Sequence, residues 1–259
     1  MREKILTNVR IIDPSQKMDE IGDIIIDDKG KIKSIGKSTK NSETSKGSEK
    51  IDLKGYIAIP GVVDMKAFVG EPGFEYKENF RTLSQAALAG GVTSIVTMPN
   101  TRPIIDNVSM VDFIIRRGRD KSKVNLFPCA SITRQIEGNQ MTEFGLLKAR
   151  GIVGFSDVNK TIQNTELMSR IMNYASDLDV LIMQHAEDHE LSKHSCINES
   201  EVATRLGLQG VSDIAEKIMS ERDLSMSSEC SCRDHTNQNS SKKYLNGIKE
   251  NKSNGIKLS

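Results

Sequence analysis

Tryptophan is absent from this 259-residue chain, which has only four cysteines, six prolines and 4% aromatic residues. The cysteines, Cys129, Cys196, Cys230 and Cys232, are irregularly spaced. That spacing excludes a disulfide framework, so free thiols are expected. Cys230-Ser231-Cys232 followed by His235 lacks the two-residue gap of a CxxC zinc knuckle and has no matching second half. An excess of one charge is also missing: 36 Lys and Arg face 35 Asp and Glu, for a net charge of +1. The basic residues are spread along the chain, which argues against nucleic acid as a partner. No apolar run approaches the roughly 18–20 residues that cross a bilayer, and no signal-peptide core follows Met1-Arg2-Glu3-Lys4. A cytoplasmic protein without membrane partners is the expectation.

What is present is 37% hydrophobic residues, enough for a sizeable core. Residues 1–55 read as a small β subdomain, with strands at Ile5 to Ile12, Asp23 to Asp27 and Lys31 to Ile35 and hairpin-turn chemistry at Asp28-Lys29-Gly30. Residues 56–259 change to apolar runs (Gly61 to Asp64, Val92 to Thr97, Val124 to Ala130, Ile152 to Phe155, Val180 to Gln184) alternating with amphipathic stretches (Phe80 to Ala89, Val108 to Arg119, Met141 to Arg150, Glu166 to Ala175). Continuous apolar runs suit strands buried on both faces, and their alternation with helices predicts an α/β fold with a parallel sheet. A TIM-like (β/α) barrel is the favoured architecture, with an open doubly wound sheet as the alternative. In a barrel, chemistry gathers at the carboxyl ends of the strands, where Asn100, Asp157 and His185 fall.

Lys37 to Lys50 reads as a flexible loop rich in Ser, Thr, Lys and Gly. Beyond Ser225 the chain is crowded with Ser, Asn and Lys, and Arg233 to Asn239 makes a poor buried strand because it is almost wholly polar. Gly255-Ile256-Lys257-Leu258-Ser259 reads as the stub of a further strand. The count is about six strands and a stub against the eight of a closed barrel, so a truncated barrel is expected.

Pro60-Gly61-Val62-Val63-Asp64-Met65 and Glu71-Pro72-Gly73-Phe74-Glu75-Tyr76-Lys77-Glu78 resemble the start of the barrel in dihydroorotases of the amidohydrolase superfamily. Ala89-Gly90-Gly91-Val92-Thr93, Met98-Pro99-Asn100-Thr101, Phe155-Ser156-Asp157, His185-Ala186-Glu187-Asp188 and Thr204-Arg205-Leu206-Gly207-Leu208 follow in that family's order, across nearly the whole chain. The resemblance implies a barrel with a small β-sandwich, and zinc that activates water to open or close the dihydroorotate ring in pyrimidine synthesis. It also implies a His-x-His-x-Arg motif on the first strand, whose histidines share one side and reach one metal while the arginine grips the substrate carboxylate.

Here those three positions are Lys66, Phe68 and Gly70, and the family's sixth-strand histidine falls at Gln238. The resemblance leaves Asp157 and His185 at metal-ligand positions and Asn100 at a substrate contact, an incomplete and vestigial set. A catalytic zinc typically takes three protein ligands and an open position, so no cofactor is expected and a pseudoenzyme is. The family's general base, an aspartate on the eighth strand, lies beyond the end of the chain. An ammonium at Lys66 is expected to pair with Asp157 in place of metal charge. His185 reads as a metal candidate or as a hydrogen-bonded structural histidine, Asn100 as a ligand contact or a turn residue, His189 and His194 as solvated, and Met168 to Met183 as core.

Met65-Lys66-Ala67-Phe68-Val69-Gly70-Glu71-Pro72-Gly73, with Gln238, further resembles a non-catalytic branch of dihydroorotase-like proteins that support aspartate transcarbamoylase structurally. That enzyme is the expected partner, and a second copy of the chain is the alternative. A residual amide hydrolase using Asp157 and His185, and a decaying fragment with aggregation-prone strand edges, are the competing readings.

Overall fold

The computed structural model describes residues 2–37, 47–240 and 242–253. Residues 38–46 of the expected loop, and the strand stub at 255–259, lie outside them. The chain divides into two compact units, Met1–Val62 and Val63–Ser259.

The first unit is a β-sheet of β1 (Lys4–Asp13), β2 (Met18–Ile26), β3 (Ile32–Gly36), β4 (Glu49–Asp52) and β5 (Ile57–Ala58). Strand β1 is central, antiparallel to β2 and parallel to β4 and β5. Alternating residues Val9 and Ile11 bury with Ile24 to form its core, as a sheet with one covered face requires. The β2–β3 hairpin closes at the expected turn: the Asp27 carboxylate accepts the backbone N–H groups of Lys29 and Lys31, and Gly30 supplies a left-handed φ of 80°.

The second unit runs β6 (Val62–Ala67), α1 (Phe80–Ala89), β7 (Val92–Thr97), α2 (Val108–Lys121), β8 (Asn125–Ala130), α3 (Phe144–Ala149), β9 (Gly154–Phe155), α4 (Thr165–Asp177), β10 (Leu181–His185), α5 (His189–Ser192), β11 (Ile197–Asn198), α6 (Glu201–Arg205), β12 (Gly210–Val211), α7 (Asp213–Cys230), β13 (Arg233–Asn237) and α8 (Lys242–Ser253). Its main sheet has the order β13-β10-β9-β8-β7-β6, with parallel pairings from β7 to β13. Each strand lies beside its predecessor and the order never reverses. A doubly wound sheet reverses at a switch point, so the strand order selects the barrel-type arrangement.

Three of the connecting helices start on asparagine, with Asn79, Asn107 and Asn164 each accepting backbone N–H bonds from the first turn of α1, α2 and α4. The core beneath them centres on Phe144 and Phe155, fully buried and stacked with ring centroids 3.8 Å apart. Phe144→Ala should cost about 3–5 kcal/mol of stability, because a large cavity opens between fixed elements. A urea titration checks this, and a loss below about 1 kcal/mol would mean the site collapses freely.

Two features of the main sheet depart from expectation. Strand β6 runs through Lys66 to Ala67, beyond the expected stop at Asp64, because the backbone of Ala67 still accepts a bond from Met98 N–H at 2.9 Å. Polar Arg233–Asn237 forms a full strand, pairing residue for residue with β10. Backbone pairing needs no apolar side chain, and Asp234 is buried beside Asp223 of α7. Burial and its neighbour Asp223 push the Asp234 carboxyl up to about 8, and burial pushes Asp223 up to about 6 against the pull of Arg222.

Carboxyls held above their unfolded value keep protons that the unfolded chain has released, so stability falls as pH rises between the two values. The urea midpoint should therefore drop from about pH 5 to about pH 8, and Asp234→Asn should flatten the drop. A midpoint that climbs over that range would contradict the burial of these acids.

Candidate functional site

The carboxyl ends of the six sheet strands carry every residue that the sequence marks as functional. Lys66 is near the end of β6 and Phe68 just past it. Asn100 follows β7, Asp157 follows β9, His185 closes β10 and Gln238 follows β13.

Lys66 reaches across these ends. Its Nζ donates to the Val158 carbonyl at 3.2 Å, to Asn159 Oδ1 at 3.1 Å and to Gln238 Oε1 at 2.8 Å. One ammonium thus ties together the ends of the first, fourth and sixth strands of the sheet. Burial lowers its pKa. Val158 and Gln238 both take left-handed backbone, with φ of 62° and 56°, a conformation that is strained for a β-branched residue.

Asp157 does not pair with Lys66, which corrects the expectation from sequence. Its carboxylate, 2% exposed, turns inward. Oδ1 accepts Ile132 N–H at 2.8 Å and Thr133 N–H at 3.0 Å, while Oδ2 accepts the Thr133 hydroxyl. The physical reason is that three donors on one loop satisfy a buried carboxylate better than one distant ammonium. Burial still pushes this carboxyl up to about 6, with the three hydrogen bonds opposing it.

His185 Nε2 lies 3.1 Å from Glu187 Oε2, and its Nδ1 is buried without a hydrogen-bond partner. The Thr161 hydroxyl donates to the His185 carbonyl and so fixes the strand end. His185, Glu187, Asp213, Glu216 and Gln238 line one pocket at this end of the sheet. The structure therefore brings Lys66 to Gln238 and Gln238 into the pocket of His185, and turns Asp157 away. Phe68 is 37% exposed, with its ring 6.0 Å from that of Phe74. Asn100 Oδ1 is buried without a partner. Thr133 and Asn159, which hold Asp157 and Lys66, carry no signal in the sequence beyond lying close to strand ends, whereas Glu187 falls within the His185-Ala186-Glu187-Asp188 motif.

The Glu71-Pro72-Gly73 stretch is architectural. Glu71 is buried, pairs with Arg117 at 2.7 Å and accepts Phe80 N–H at the start of α1. Gly73 has φ of 95°, and a Cβ there would stand 2.2 Å from the Arg102 carbonyl, so only glycine lets the loops after β6 and β7 meet.

A family model described as Dihydro-orotase-like matches residues 55–244. The chain belongs to the dihydroorotase-like family. It is 38% identical over 254 residues to a dihydroorotase of Syntrophus aciditrophicus (strain SB), covering 98% of this chain and 59% of that relative. It is 37% identical over 249 residues to a dihydroorotase of Trichlorobacter lovleyi, covering 96% of this chain and 58% of the relative. The chain thus spans less than two thirds of the length of these curated relatives. Among solved structures, the L-hydantoinase of Arthrobacter aurescens superposes with a TM-score of 0.79 at 20% identity, covering all of this chain and 57% of that one. A D-hydantoinase follows at 0.73 and 20%. At that identity the likeness shows the fold alone.

The zinc implied by the family can be tested against the residues present. At the first-strand positions stand an ammonium and a phenyl ring, neither of which offers a lone pair to a metal. Asp157 has both oxygens engaged by Thr133 and Ile132. Among the described residues, no three His, Cys, Asp or Glu side chains converge as a ligand set. As arranged, these residues do not fit a zinc ion.

Proposed function

We propose that this dihydroorotase-like chain serves pyrimidine biosynthesis without opening the dihydroorotate ring itself, as a structural partner of aspartate transcarbamoylase. The observation that carries the reading is the Lys66 ammonium, held by Val158, Asn159 and Gln238 where the first-strand ligands of an active member would face a metal. A unit positive charge about 4 Å from a dication, at an effective dielectric of about 20, opposes its binding by about 8 kcal/mol. Lys66 instead supplies a fixed positive charge that draws strand ends together. The partner follows from the likeness of Met65 to Gly73, with Gln238, to the non-catalytic branch of the family.

The test is gel filtration of the purified chain mixed with aspartate transcarbamoylase from the same source, with ring opening of dihydroorotate assayed in the same fractions. Co-elution without turnover by this chain supports the reading, and separate elution rejects the partner.

A second reading, a zinc-dependent cyclic amide hydrolase, is favoured by the name of the curated relatives and by His185, which lines the pocket and whose Nδ1 is buried without a partner. Turnover that is abolished by His185→Ala would establish it over the first.

A further inference from the structure

Away from the strand ends, α7 folds back on β13 through a tight turn at Ser231, and two anchors fix which face of the helix meets the strand. Near the turn, Ser227 Oγ donates to the Cys232 carbonyl at 3.1 Å. At the far end, the N–H and Oγ of Ser240, just past β13, donate to the Glu216 carboxylate at 3.0 and 2.7 Å. Glu216, Ser220, Asp223 and Ser227 follow one another at helical spacing and so share that face. Ser220 and Asp223 therefore lie between the anchors, against the strand.

The sheet turns polar groups to the same layer. Asp234 of β13 is the register partner of Ile182, which packs with Met168 and Ile171 of α4, so both face the helices. Gln184, two residues on in β10, faces them too, because its Nε2 donates to Met168 Sδ at 3.1 Å. Ser220, Asp223, Asp234 and Gln184 are each at most 3% exposed. Among the described residues, Asp234 Oδ1 and Oδ2, Asp223 Oδ2, Ser220 Oγ and Gln184 Oε1 have no hydrogen-bond partner. The neighbouring cation, Arg222, serves only the other oxygen of Asp223, with Nε at 2.8 Å from Oδ1. Buried oxygens left over in this way call for water or an ion.

We infer that Asp223, Asp234, Ser220 and Gln184 form a buried site for a monovalent alkali cation, Na⁺ or K⁺, between α7 and the sheet. A lining of oxygen alone suits a hard ion. Charge balance sets its valence: with both carboxyls ionised, Arg222 and one monovalent ion bring the buried charge to zero, whereas a divalent ion leaves an excess that burial penalises. Mg²⁺ in addition keeps several of its waters. Burial and Asp223 hold the Asp234 carboxyl up to about 8, so at neutral pH the ion enters in exchange for that proton, which passes to solvent. No electron is transferred.

The test is the melting of the full chain at about pH 8 in KCl, in NaCl and in tetramethylammonium chloride at equal ionic strength, the last cation being too large for such a site. Wild type should melt at least about 3 °C higher in one alkali salt than in tetramethylammonium, the rise expected at about tenfold above Kd. The salt with the larger rise identifies the ion. Glu221→Gln, on the exposed side of α7, should keep the rise, Asp234→Asn should abolish it, and Ser220→Ala should cut it by about half or more.

Equal melting of wild type in the three salts overturns the inference, as does a rise that persists undiminished in Asp234→Asn. Should Asp234→Asn fail to fold, Ser220→Ala decides: a reduced rise supports the site and an undiminished one overturns it.

Discussion

Replacing Lys66, Phe68 and Gln238 together by histidine should convert the chain into one that takes up about one equivalent of zinc, because with His185 it would offer at least the three protein ligands that such a site needs. Residue 68 lies one residue past the end of β6, so it shares the side of residue 66 if the strand's alternation continues, and Gln238 already reaches Lys66 Nζ at 2.8 Å, so new imidazoles at 66 and 238 would start within a side chain's length of each other. The substitution also removes the ammonium that repels a dication. At zinc about 1,000-fold above Kd the gain is about 4 kcal/mol, a rise in melting temperature of about 10 °C for a chain this size. Elemental analysis and a melt with and without zinc check both numbers. A triple variant that melts at the same temperature with and without zinc would show that these strand ends do not converge as described.

Asp157→Ala should cost on the order of 3 kcal/mol at neutral pH, while Asp157→Asn should cost about 1 kcal/mol or less. Alanine leaves the buried N–H groups of Ile132 and Thr133 and the Thr133 hydroxyl without an acceptor. Asparagine keeps one carbonyl oxygen for the two N–H groups, and the hydroxyl can turn to accept from its amide. The two substitutions also differ with pH. Because the folded carboxyl is held up to about 6, wild type loses stability as pH rises from about 4 to about 6, and asparagine, which cannot ionise, does not. The deficit of Asp157→Asn should therefore shrink over that window. Urea midpoints at several pH values measure it, and equal costs for alanine and asparagine would mean that the hydrogen bonds to Thr133 carry no weight.

How much of this was legible in the sequence depends on how local each signal is. Helix α1 appears with the bounds its periodicity predicts, Phe80–Ala89, because Asn79 caps it and Gly90 ends it within a few residues. The central apolar runs likewise became β7, β8 and β10 with small shifts at their ends. Strand β13 was obscured because its stability comes from pairing with β10, some fifty residues earlier in the chain, and not from its own side chains. The β11–β12 ribbon has two residues per strand, too few for any period to show, and it depends on Gly210 approaching the backbone of Glu199 so closely that a Cβ would stand 2.7 Å away.

The site divides in the same way. Asn100, Asp157 and His185 were legible as polar residues at the ends of apolar runs, and Lys66, Phe68 and Gln238 were marked only against the motif that the resemblance implies. Their partners were not. Lys66 finds Val158 and Gln238 at 92 and 172 residues' distance along the chain, and Asp157 finds Thr133 24 residues away. Only the curl of the sheet creates those encounters, and a neutral oxygen that accepts from an ammonium has no sequence signature comparable to an opposite charge.

The measurement that bears most directly on the role of Lys66 is the zinc content of the wild-type chain, purified after expression with added zinc and dialysed, with dihydroorotate ring opening assayed on the same sample. The account predicts well under about 0.1 equivalent of zinc and no turnover in a folded protein. About one equivalent of zinc, lost together with turnover in His185→Ala, would contradict it and require the strand ends to open around a metal that Lys66 does not exclude.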